Sequence, residues 1–280
     1  MNDRPNAAQI DYWNAIAGET WSRFNALLDR QIEPLGREAM RALGPQPGER
    51  IIDIGCGCGQ TTMALAEQVG ASGVVVGADV SRPMLAVARA RPLPAGARQP
   101  QFREADAQSD GLGEAAFDAA FSRFGVMFFA DPVAAFANIR ASLTAQGRLA
   151  FVCWRPYAEN PWMRIPMEAA EPLLGQPPPV DPTAPGPFAF ADADRVRAIL
   201  DQAGFADVAI AAFDAAIGGS SIDETVSMTF RVGPLGRALA ENRDRIPAVA
   251  EAVRRAVTPY DTAGGVFMPS AVWIVQARAS

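Results

Sequence analysis

The chain has 280 residues, of which 49% are hydrophobic and 20% are charged, a composition typical of a folded globular protein. Its formal net charge of −6 argues against a nucleic-acid-binding protein, because that class needs a basic surface. No apolar run is long enough to span a membrane, and the first residues lack the apolar centre of a signal peptide. Three cysteines without a disulfide framework suit a reducing compartment, so we expect a cytoplasmic protein without membrane or nucleic-acid partners.

The N-terminal residues 1–45 are predicted to form a helical cap. Aromatic and aliphatic side chains recur there at spacings of three and four residues, as in Trp21, Phe24 and Leu28. A segment rich in Gly and Pro then ends the helical region before residue 51.

The segment IIDIGCGCGQTT (51–62) raises two alternatives, a thiol site or a glycine loop. A structural zinc site needs four Cys or His ligands, but the chain has no histidine, and Cys153 lies in a predicted buried strand. Carboxylates rarely complete a shell of soft thiolates. We therefore interpret Cys56 and Cys58 as small side chains in a tight loop, and we predict no metal site.

The same segment has the order of strand, glycine loop and helix that begins a βαβ unit. Its three glycines permit positive φ and let a ligand approach the backbone, while the helix N-terminus offers partial positive charge. The next predicted strand ends in Asp79, which is placed to accept hydrogen bonds from ribose hydroxyls. Gln60 departs from the dinucleotide fingerprint, which needs Gly or Ala at that position. Asp53 is either a satisfied polar group at the strand end or an attractor of a cationic ligand group.

Strands and helices continue to alternate over a core region, 46–155. Ser81 is predicted to cap a helix, a third strand surrounds Phe102, a fourth covers 116–124, and Asp131 begins a helix that leads to a fifth strand. This alternation predicts a parallel sheet covered by helices on both faces. Ligands of such sheets bind beyond the carboxyl ends of the strands.

The C-terminal half contains two predicted insertions within a single domain, 1–280. Ten of the 23 prolines lie in 156–187, which should exclude long continuous helices there. Apolar residues in this stretch favour a packed lid, 156–190, over a solvated linker. Residues 191–280 supply a helix with a sixth strand (193–213), a helical insertion (214–270) and a final strand (271–279).

Four motifs in this order resemble those of the class I S-adenosylmethionine-dependent methyltransferases. They are the segment from Asp53 to Gly59, the acid Asp79, ADAQ at 105–108 and GRLAFVCW at 147–154. The resemblance covers roughly residues 10–215 and points to small-molecule enzymes similar to quinone-biosynthesis methyltransferases. It implies an α/β fold with a Rossmann-like, seven-stranded, mostly parallel sheet and an antiparallel last strand. It also implies S-adenosylmethionine as cofactor, and in-line transfer of its methyl group to a small-molecule acceptor.

By this resemblance the glycine loop holds the methionine end of the cofactor, Asp79 holds the ribose, and Asp106 with Ala107 holds the adenine. Met84 would pack on the adenine or, alternatively, in the helix core. Asp106 has the alternative role of closing a capped turn. The predicted cofactor contacts are Trp21, Asp53, Gly55, Cys56, Gly57, Gly59, Asp79, Val80, Met84, Asp106, Ala107, Ser122 and Phe124.

The candidate acceptor contacts are Arg123, Trp13 and Trp162. Arg123 either binds an acceptor carboxylate or phosphate or pairs with Asp118 or Asp131. We favour the ion pair, because an unpaired cation beside an apolar segment is costly. The lid and the N-terminal helices are expected to close over the acceptor.

No catalytic residue is assigned from the sequence. The absence of histidine removes the commonest general base and favours acceptors that need little base help. These are an ionised carboxylate, a neutral amine, a thiolate or an activated carbon.

Two other function classes stay open. An NAD-dependent oxidoreductase would share the order of elements, but Gln60 and the lack of a Tyr-x-x-x-Lys pair count against it. A non-catalytic binding module on the same fold is disfavoured by the insertions, which are expected to enclose a pocket. The sequence leaves the oligomeric state open, with a homodimer as one candidate.

Overall fold

The computed structural model describes residues 5–176, 181–232 and 234–279, and a twisted sheet runs through its centre. The strands are β1 (Arg50–Ile54), β2 (Val74–Asp79), β3 (Gln101–Glu104), β4 (Phe117–Arg123), β5 (Leu143–Trp154), β6 (Phe205–Ser220), β7 (Asp261–Thr262) and β8 (Gly265–Ala279). The helices are α1 (Ala7–Asn14), α2 (Ile16–Arg23), α3 (Asn25–Leu43), α4 (Gln60–Val69), α5 (Arg82–Arg89), α6 (Pro132–Ser142), α7 (Pro161–Leu174), α8 (Ala193–Gln202), α9 (Ile222–Thr229), α10 (Pro234–Glu241) and α11 (Ile246–Val257).

The strand order is β3-β2-β1-β4-β5-β8-β6, with the short β7 paired to β8. Strands β1 to β5 pair in parallel, and β8 runs antiparallel to both of its long neighbours, β5 and β6. The last six residues of β5 are all buried, as are four consecutive residues of β1, so both faces of the central strands are covered. The predicted mostly parallel α/β sheet with an antiparallel last strand is confirmed.

The order of the strands reverses between β1 and β4. The chain leaves β1 towards β2 on one side, and later returns to place β4 on the other side. Such a reversal opens a crevice beyond the carboxyl ends of the two strands. The glycine loop follows β1 and the segment from Phe124 onward follows β4, so both predicted motifs border this crevice.

The last two long strands extend further than the sequence predicts. The sequence predicts that the sixth strand ends at 213 and that the final strand begins at 271. In the structure β6 and β8 continue to pair beyond these limits, from the pair Asp214–Ala271 to the pair Ser220–Val266. The last residue of β5 pairs with Val272, so this extra ribbon projects beyond the rest of the sheet. The predicted insertion 214–270 is therefore helical only between its two strand segments.

The ribbon carries a group of helices with a core of its own. We call α7, α9, α10, α11 and the ribbon residues 214–220 and 265–270 the cap. Its buried core includes Val226, Leu235, Val253 and Val266, and it is separate from the main core around the sheet. The cap therefore folds over one end of the sheet as a second apolar cluster.

The Pro-rich stretch contains a 14-residue helix, α7, so the expected exclusion of long helices is wrong. Pro161 opens the helix, where its missing N–H costs nothing, and Pro166 and Pro172 lie inside it. Pro166 is buried, so packing offsets the lost backbone hydrogen bond. The prolines at 177–179 lie outside the described residues. No helix within the described ranges is both long and apolar enough to cross a membrane.

Asn160 fastens the start of α7 to β8. Its Oδ1 accepts hydrogen bonds from the backbone N–H of Ala271 at 3.0 Å and from Nε1 of Trp162 at 3.1 Å. Its Nδ2 donates to the carbonyl oxygens of Arg155, Pro156 and Ala271. The side chain is fully buried, and so are its two bonds to the backbone of Ala271, where water cannot replace it.

We expect Asn160→Ala to lower the free energy of unfolding by about 2–4 kcal/mol, because it removes five hydrogen bonds and leaves the buried N–H of Ala271 without this partner. Urea unfolding measures the change. The matched control is Asn242→Ala, since the partly buried side chain of Asn242 donates only to the carbonyl oxygen of Ala238, in the helix α10 that Asn242 follows. Its cost should stay below about 1 kcal/mol. Equal losses in the two variants would contradict the fastening role of Asn160.

Candidate functional site

A cavity of about 310 Å³ lies at the carboxyl ends of β1, β2 and β4. This volume is within the range of clefts that enclose small-molecule ligands. Helices α1–α3 border one side of the cavity, the glycine loop and strand ends form its floor, and the cap covers the other side. The topological crevice and the two helical regions therefore enclose one space.

The glycine loop forms part of the floor. Gly55, Gly57 and Gly59 have φ values of 64°, 53° and 80°, a region that L-residues with side chains rarely adopt. A Cβ at Gly55 would lie 2.7 Å from the Cα of Gly125, in the segment after β4. The backbones of the two segments thus touch, and Gly55 and Gly57 present their main chains to the cavity.

Asp79 stands at the tip of β2 and is bound to the glycine loop. Its Oδ2 accepts a hydrogen bond from the N–H of Gly57 at 2.7 Å, and its Oδ1 accepts one from the N–H of Ser81 at 2.8 Å. Burial raises the pKa of Asp79, and these backbone N–H groups oppose the rise. The residue lines the cavity, as do the neighbouring Val80 and Met84.

Asp53 lies fully buried behind the loop and does not line the cavity. Its Oδ2 accepts hydrogen bonds from the hydroxyls of Thr61 at 2.7 Å and Thr62 at 2.6 Å, while its Oδ1 has no partner. Burial raises the pKa of Asp53 to about 6. One oxygen is thus satisfied within the protein, as the first alternative expects, and the other is not. Attraction of a cationic ligand group by Asp53 stays a prediction.

Asp106 occupies the opposite end of the cavity floor. Its Oδ1 accepts hydrogen bonds from the N–H of Gln108 and from Nδ2 of Asn6, and its Oδ2 accepts one from the hydroxyl of Ser109. The residue closes a turn, as one alternative expects, and it also lines the cavity. Its contact with an adenine stays a prediction. Ala107 is buried beside it and lines the same end.

Two amide side chains at this end were missed by sequence reasoning. Oδ1 of Asn6 and Oε1 of Gln9 are buried without a hydrogen-bond partner, and both residues line the cavity. Nothing in the local sequence pattern marks them, because they precede or open an ordinary helical segment. Only the packing of α1 beside Asp106 brings them to the site.

Polar contacts hold α1 against the end of β2. The hydroxyl of Ser81 donates to the carbonyl oxygen of Trp13 at 2.7 Å, so its expected capping hydrogen bond is absent. Nδ2 of Asn14 donates to the carbonyl oxygen of Val80 at 2.8 Å. Trp13 and Trp21 both line the cavity, with ring centroids 6.1 Å apart.

Aromatic rings form the wall between the floor and the cap. The ring of Phe124, a residue with φ of 63°, stacks on Trp154 with a centroid distance of 4.3 Å, and Trp162 lies 4.8 Å from Trp154. All three residues line the cavity. Ser122 does not line it, in contrast to the expected cofactor contact, because its buried hydroxyl accepts from the N–H of Gly125.

Arg123 forms an ion pair, but neither expected partner is correct. Its Nη2 donates to Oδ1 of Asp29 at 2.9 Å, and its Nη1 donates to Oε1 of Gln60. Asp118 instead accepts from the backbone N–H of Arg50, and Asp131 caps α6 through the N–H of Ala134. The true partner lies on α3, 94 residues away in the sequence, where no local spacing could indicate it.

Asp29 also accepts a hydrogen bond from Arg91, whose Nε donates to the carbonyl oxygen of Cys58. We call Asp29, Arg91 and Arg123 the ion cluster. The side chains of the cluster are 11–22% exposed, so water screens them only partly. The cluster therefore ties α3 to the glycine loop and to the end of β4.

The three cysteines are free and buried. Burial raises the pKa of the Cys58 thiol to about 12 and that of Cys56 well above its ordinary value, so both thiols are neutral near pH 7. The described residues include no group of three or more His, Cys, Asp or Glu side chains placed to hold a metal ion.

Residues 51–147 match the family described as methyltransferase domain. The chain is 36% identical over 118 residues to aklanonic acid methyltransferase DauC of Streptomyces sp. (strain C5), which covers 42% of this chain and 54% of that protein. It is 33% identical over 177 residues to O-methyltransferase cnsE of Penicillium expansum, and the match covers 61% of this chain and 57% of that protein. The chain therefore spans about half the length of the curated relatives it matches.

Solved structures share the fold. The YcgJ protein of Bacillus subtilis has a TM-score of 0.57 at 18% identity, over 88% of this chain and 97% of that one. Phosphoethanolamine N-methyltransferase 2 of Haemonchus contortus, in complex with S-adenosyl-L-methionine, has a TM-score of 0.55 at 14% identity. This match covers 96% of this chain and 60% of that one. The [4+2]-cyclase SpnF also shares the fold, with a TM-score of 0.51 at 22% identity over 94% of each chain.

The matched domain contains the glycine loop, Asp79 and Asp106. The order of the strands in the sheet brings these residues together at one crevice. The relatives named above are methyltransferases. The chain therefore contains a region similar to the methyltransferase domain, at residues 51–147, within a sheet that has the fold of the solved structures named above.

Proposed function

We propose that the protein binds S-adenosylmethionine and transfers its methyl group to a small-molecule acceptor. The observation that carries the proposal is the single cavity that joins the glycine loop, Asp79 and Asp106 to an aromatic compartment under the cap. Since many chemistries share this fold, the site residues rather than the sheet must support the activity.

The residues present fit the cofactor. The unpaired Oδ1 of Asn6, whose Nδ2 donates to Asp106, and the unpaired Oε1 of Gln9 are acceptors that suit the amino group of an adenine. The loop backbone at Gly57 is open to the cavity, where a Cβ would lie 2.8 Å from Cε of Met84. The charge of Asp53 behind the loop favours a cation such as the ammonium of a methionine moiety.

Each part of the floor has a distinct task in this proposal. Asp79 would accept hydrogen bonds from the ribose, Met84 would cover the adenine, and the glycine loop would hold the methionine end. When bound, the cofactor supplies an electrophilic methyl group on a sulfonium. The chain contributes by orienting the two reactants and by excluding water with α1–α3 and the cap.

The chain has little means to remove a proton from the acceptor. It contains no histidine, and all 25 of its basic residues are arginines, which stay protonated. Asp79 and Asp106 accept hydrogen bonds from protein groups, and Asp29 is held by two arginines. We therefore infer an acceptor that loses its proton readily by itself.

The alternative of an NAD-dependent oxidoreductase gains no support. The named relatives are methyltransferases, and the loop departs at Gln60 from the fingerprint that places a pyrophosphate. The other alternative is a protein that binds the cofactor and transfers no methyl group. Experiment can distinguish it from the proposed enzyme, because it would bind S-adenosylmethionine without turnover.

We expect S-adenosylhomocysteine to bind at micromolar level and Asp79→Ala to weaken binding by roughly ten- to a hundredfold, because a carboxylate–hydroxyl pair contributes about 1.5–3 kcal/mol. Calorimetry measures both affinities. Asp131→Ala removes a carboxylate outside the cavity and serves as the control, with unchanged affinity expected. Binding of NAD in place of S-adenosylhomocysteine would overturn the proposal.

The buried Asp53 should make stability depend on pH. Its folded pKa of about 6 lies above the ordinary 3.8, so between these values the folded state binds more protons than the unfolded state. The free energy of unfolding should therefore fall as pH rises from 4 to 6, relative to Asp53→Asn, by about 2 kcal/mol. Urea unfolding across this pH range tests the difference.

For this pH dependence, the exposed Asp244→Asn provides the control and should follow the wild-type profile. A difference between wild type and Asp53→Asn that stays constant from pH 4 to pH 6 would show that the buried carboxylate keeps its ordinary pKa.

Closure of the cavity should appear in hydrogen exchange. We expect S-adenosylhomocysteine to slow amide exchange in residues 10–25 and in α7, because these segments cover the proposed ligand. Helix α8 contributes no residue to the cavity lining and is the internal control. Protection confined to the glycine loop would contradict closure by these segments.

A further inference from the structure

The cap half of the cavity differs in chemistry from the floor. Among the described residues, none that the cap contributes to the lining is charged. The polar side chains it contributes are the hydroxyls of Ser220, Thr225 and Thr229. The rest are apolar, so this half offers an acceptor little beyond apolar surface and a few hydroxyl groups.

The floor has no cation left for an anionic acceptor. Arg123 is the one cationic side chain among the described lining residues, and its guanidinium binds Asp29 and Gln60. A carboxylate or phosphate buried under the cap would therefore lose its hydration without gaining an ion pair. The same lining offers no unpaired carboxylate close to the cap for an acceptor ammonium, since Asp29 is held by Arg91 and Arg123.

The wall of the cavity between the floor and the cap suits a flat ring. The rings of Phe124, Trp154 and Trp162 form a continuous wall, with neighbouring centroids 4.3 and 4.8 Å apart. Aromatic rings gain more from facing or edge contact with another ring than from the same area of aliphatic chain. Met163, Met167, Met228 and Met268 line the other sides, and methionines fit irregular outlines and contact ring edges favourably.

We infer that the acceptor is a planar aromatic ring that carries an acidic hydroxyl and no other charge. This inference rests on the proposed function, because the ring would lie beside the cofactor's methyl group. The only charge such an acceptor brings is its reacting oxygenate, which the adjacent sulfonium neutralises.

The step balances without a protein base. The hydroxyl proton of the acceptor passes to water before or during binding. The oxygen–carbon bond then forms as the carbon–sulfur bond breaks, and the electron pair of the broken bond stays on sulfur. The products are a neutral methyl ether and the neutral thioether S-adenosylhomocysteine.

Alizarin and alizarin sulfonate form a matched probe pair, because they share one ring system and the same hydroxyls and differ by one fixed negative charge. Calorimetry would be run on the full chain, first with S-adenosylhomocysteine alone and then with each probe added to that complex. We expect alizarin to bind at least about 30-fold more tightly than its sulfonate and than decanol, an aliphatic alcohol.

Variants locate the probe. Trp162→Ala should weaken alizarin binding about tenfold and leave S-adenosylhomocysteine binding unchanged, whereas Trp162→Phe should retain most of the affinity for alizarin. The control is Phe267→Ala, because Phe267 lies between the lining residues Val266 and Met268 but is not itself in the lining. It should bind both ligands as the wild type does.

The outcomes separate this inference from the proposed function. If alizarin sulfonate binds as tightly as alizarin, the inference of an acceptor without a further charge is wrong. If decanol binds as tightly as alizarin, the inference of a planar ring is wrong. If Trp162→Ala and Phe267→Ala have equal effects, alizarin does not bind at the aromatic wall. If S-adenosylhomocysteine fails to bind while alizarin binds at Trp162, the proposed function fails and the ring-binding compartment stands.

Discussion

The site depends on the contact between two backbones at the point where the strand order reverses. A Cβ at Gly55 would lie 2.7 Å from the Cα of Gly125, and a Cβ at Gly125 would lie 2.8 Å from the Cα of Gly55. With side chains at these positions the segments after β1 and β4 would have to separate. Their contact fixes the floor, so Asp79 on one side and Phe124 on the other face the same cavity.

Helices α1–α3 are held over this floor by polar side chains rather than by apolar packing alone. The ion cluster joins α3 to the loop, while Ser81 and Asn14 join α1 to the end of β2. A partly buried cluster of charges adds little net stability, because desolvation offsets the attraction, but it penalises any other placement of α3. We therefore regard it as a device that positions the helix.

Burial and hydrogen bonding give the acids of the site different environments. Burial is the dominant influence on the pKa of Asp53, and one oxygen of this residue is unpaired. By contrast, both oxygens of Asp79 and both oxygens of Asp106 accept hydrogen bonds from protein groups. The charged and polar chemistry is thus concentrated on the floor, and the cap supplies an apolar enclosure. A cationic cofactor and an apolar acceptor could share the cavity because its two halves differ in this way.

The sequence by itself determined the order of strands and helices, the glycine loop and the acids at the tips of the strands, because these follow from local spacing and turn chemistry. Only the tertiary structure decided that Arg123 pairs with Asp29, that Asn6 reaches Asp106, and that β6 and β8 extend into the ribbon of the cap. These contacts join residues about 50 to 100 positions apart, whose meeting depends on how whole elements pack, and no local pattern encodes that packing.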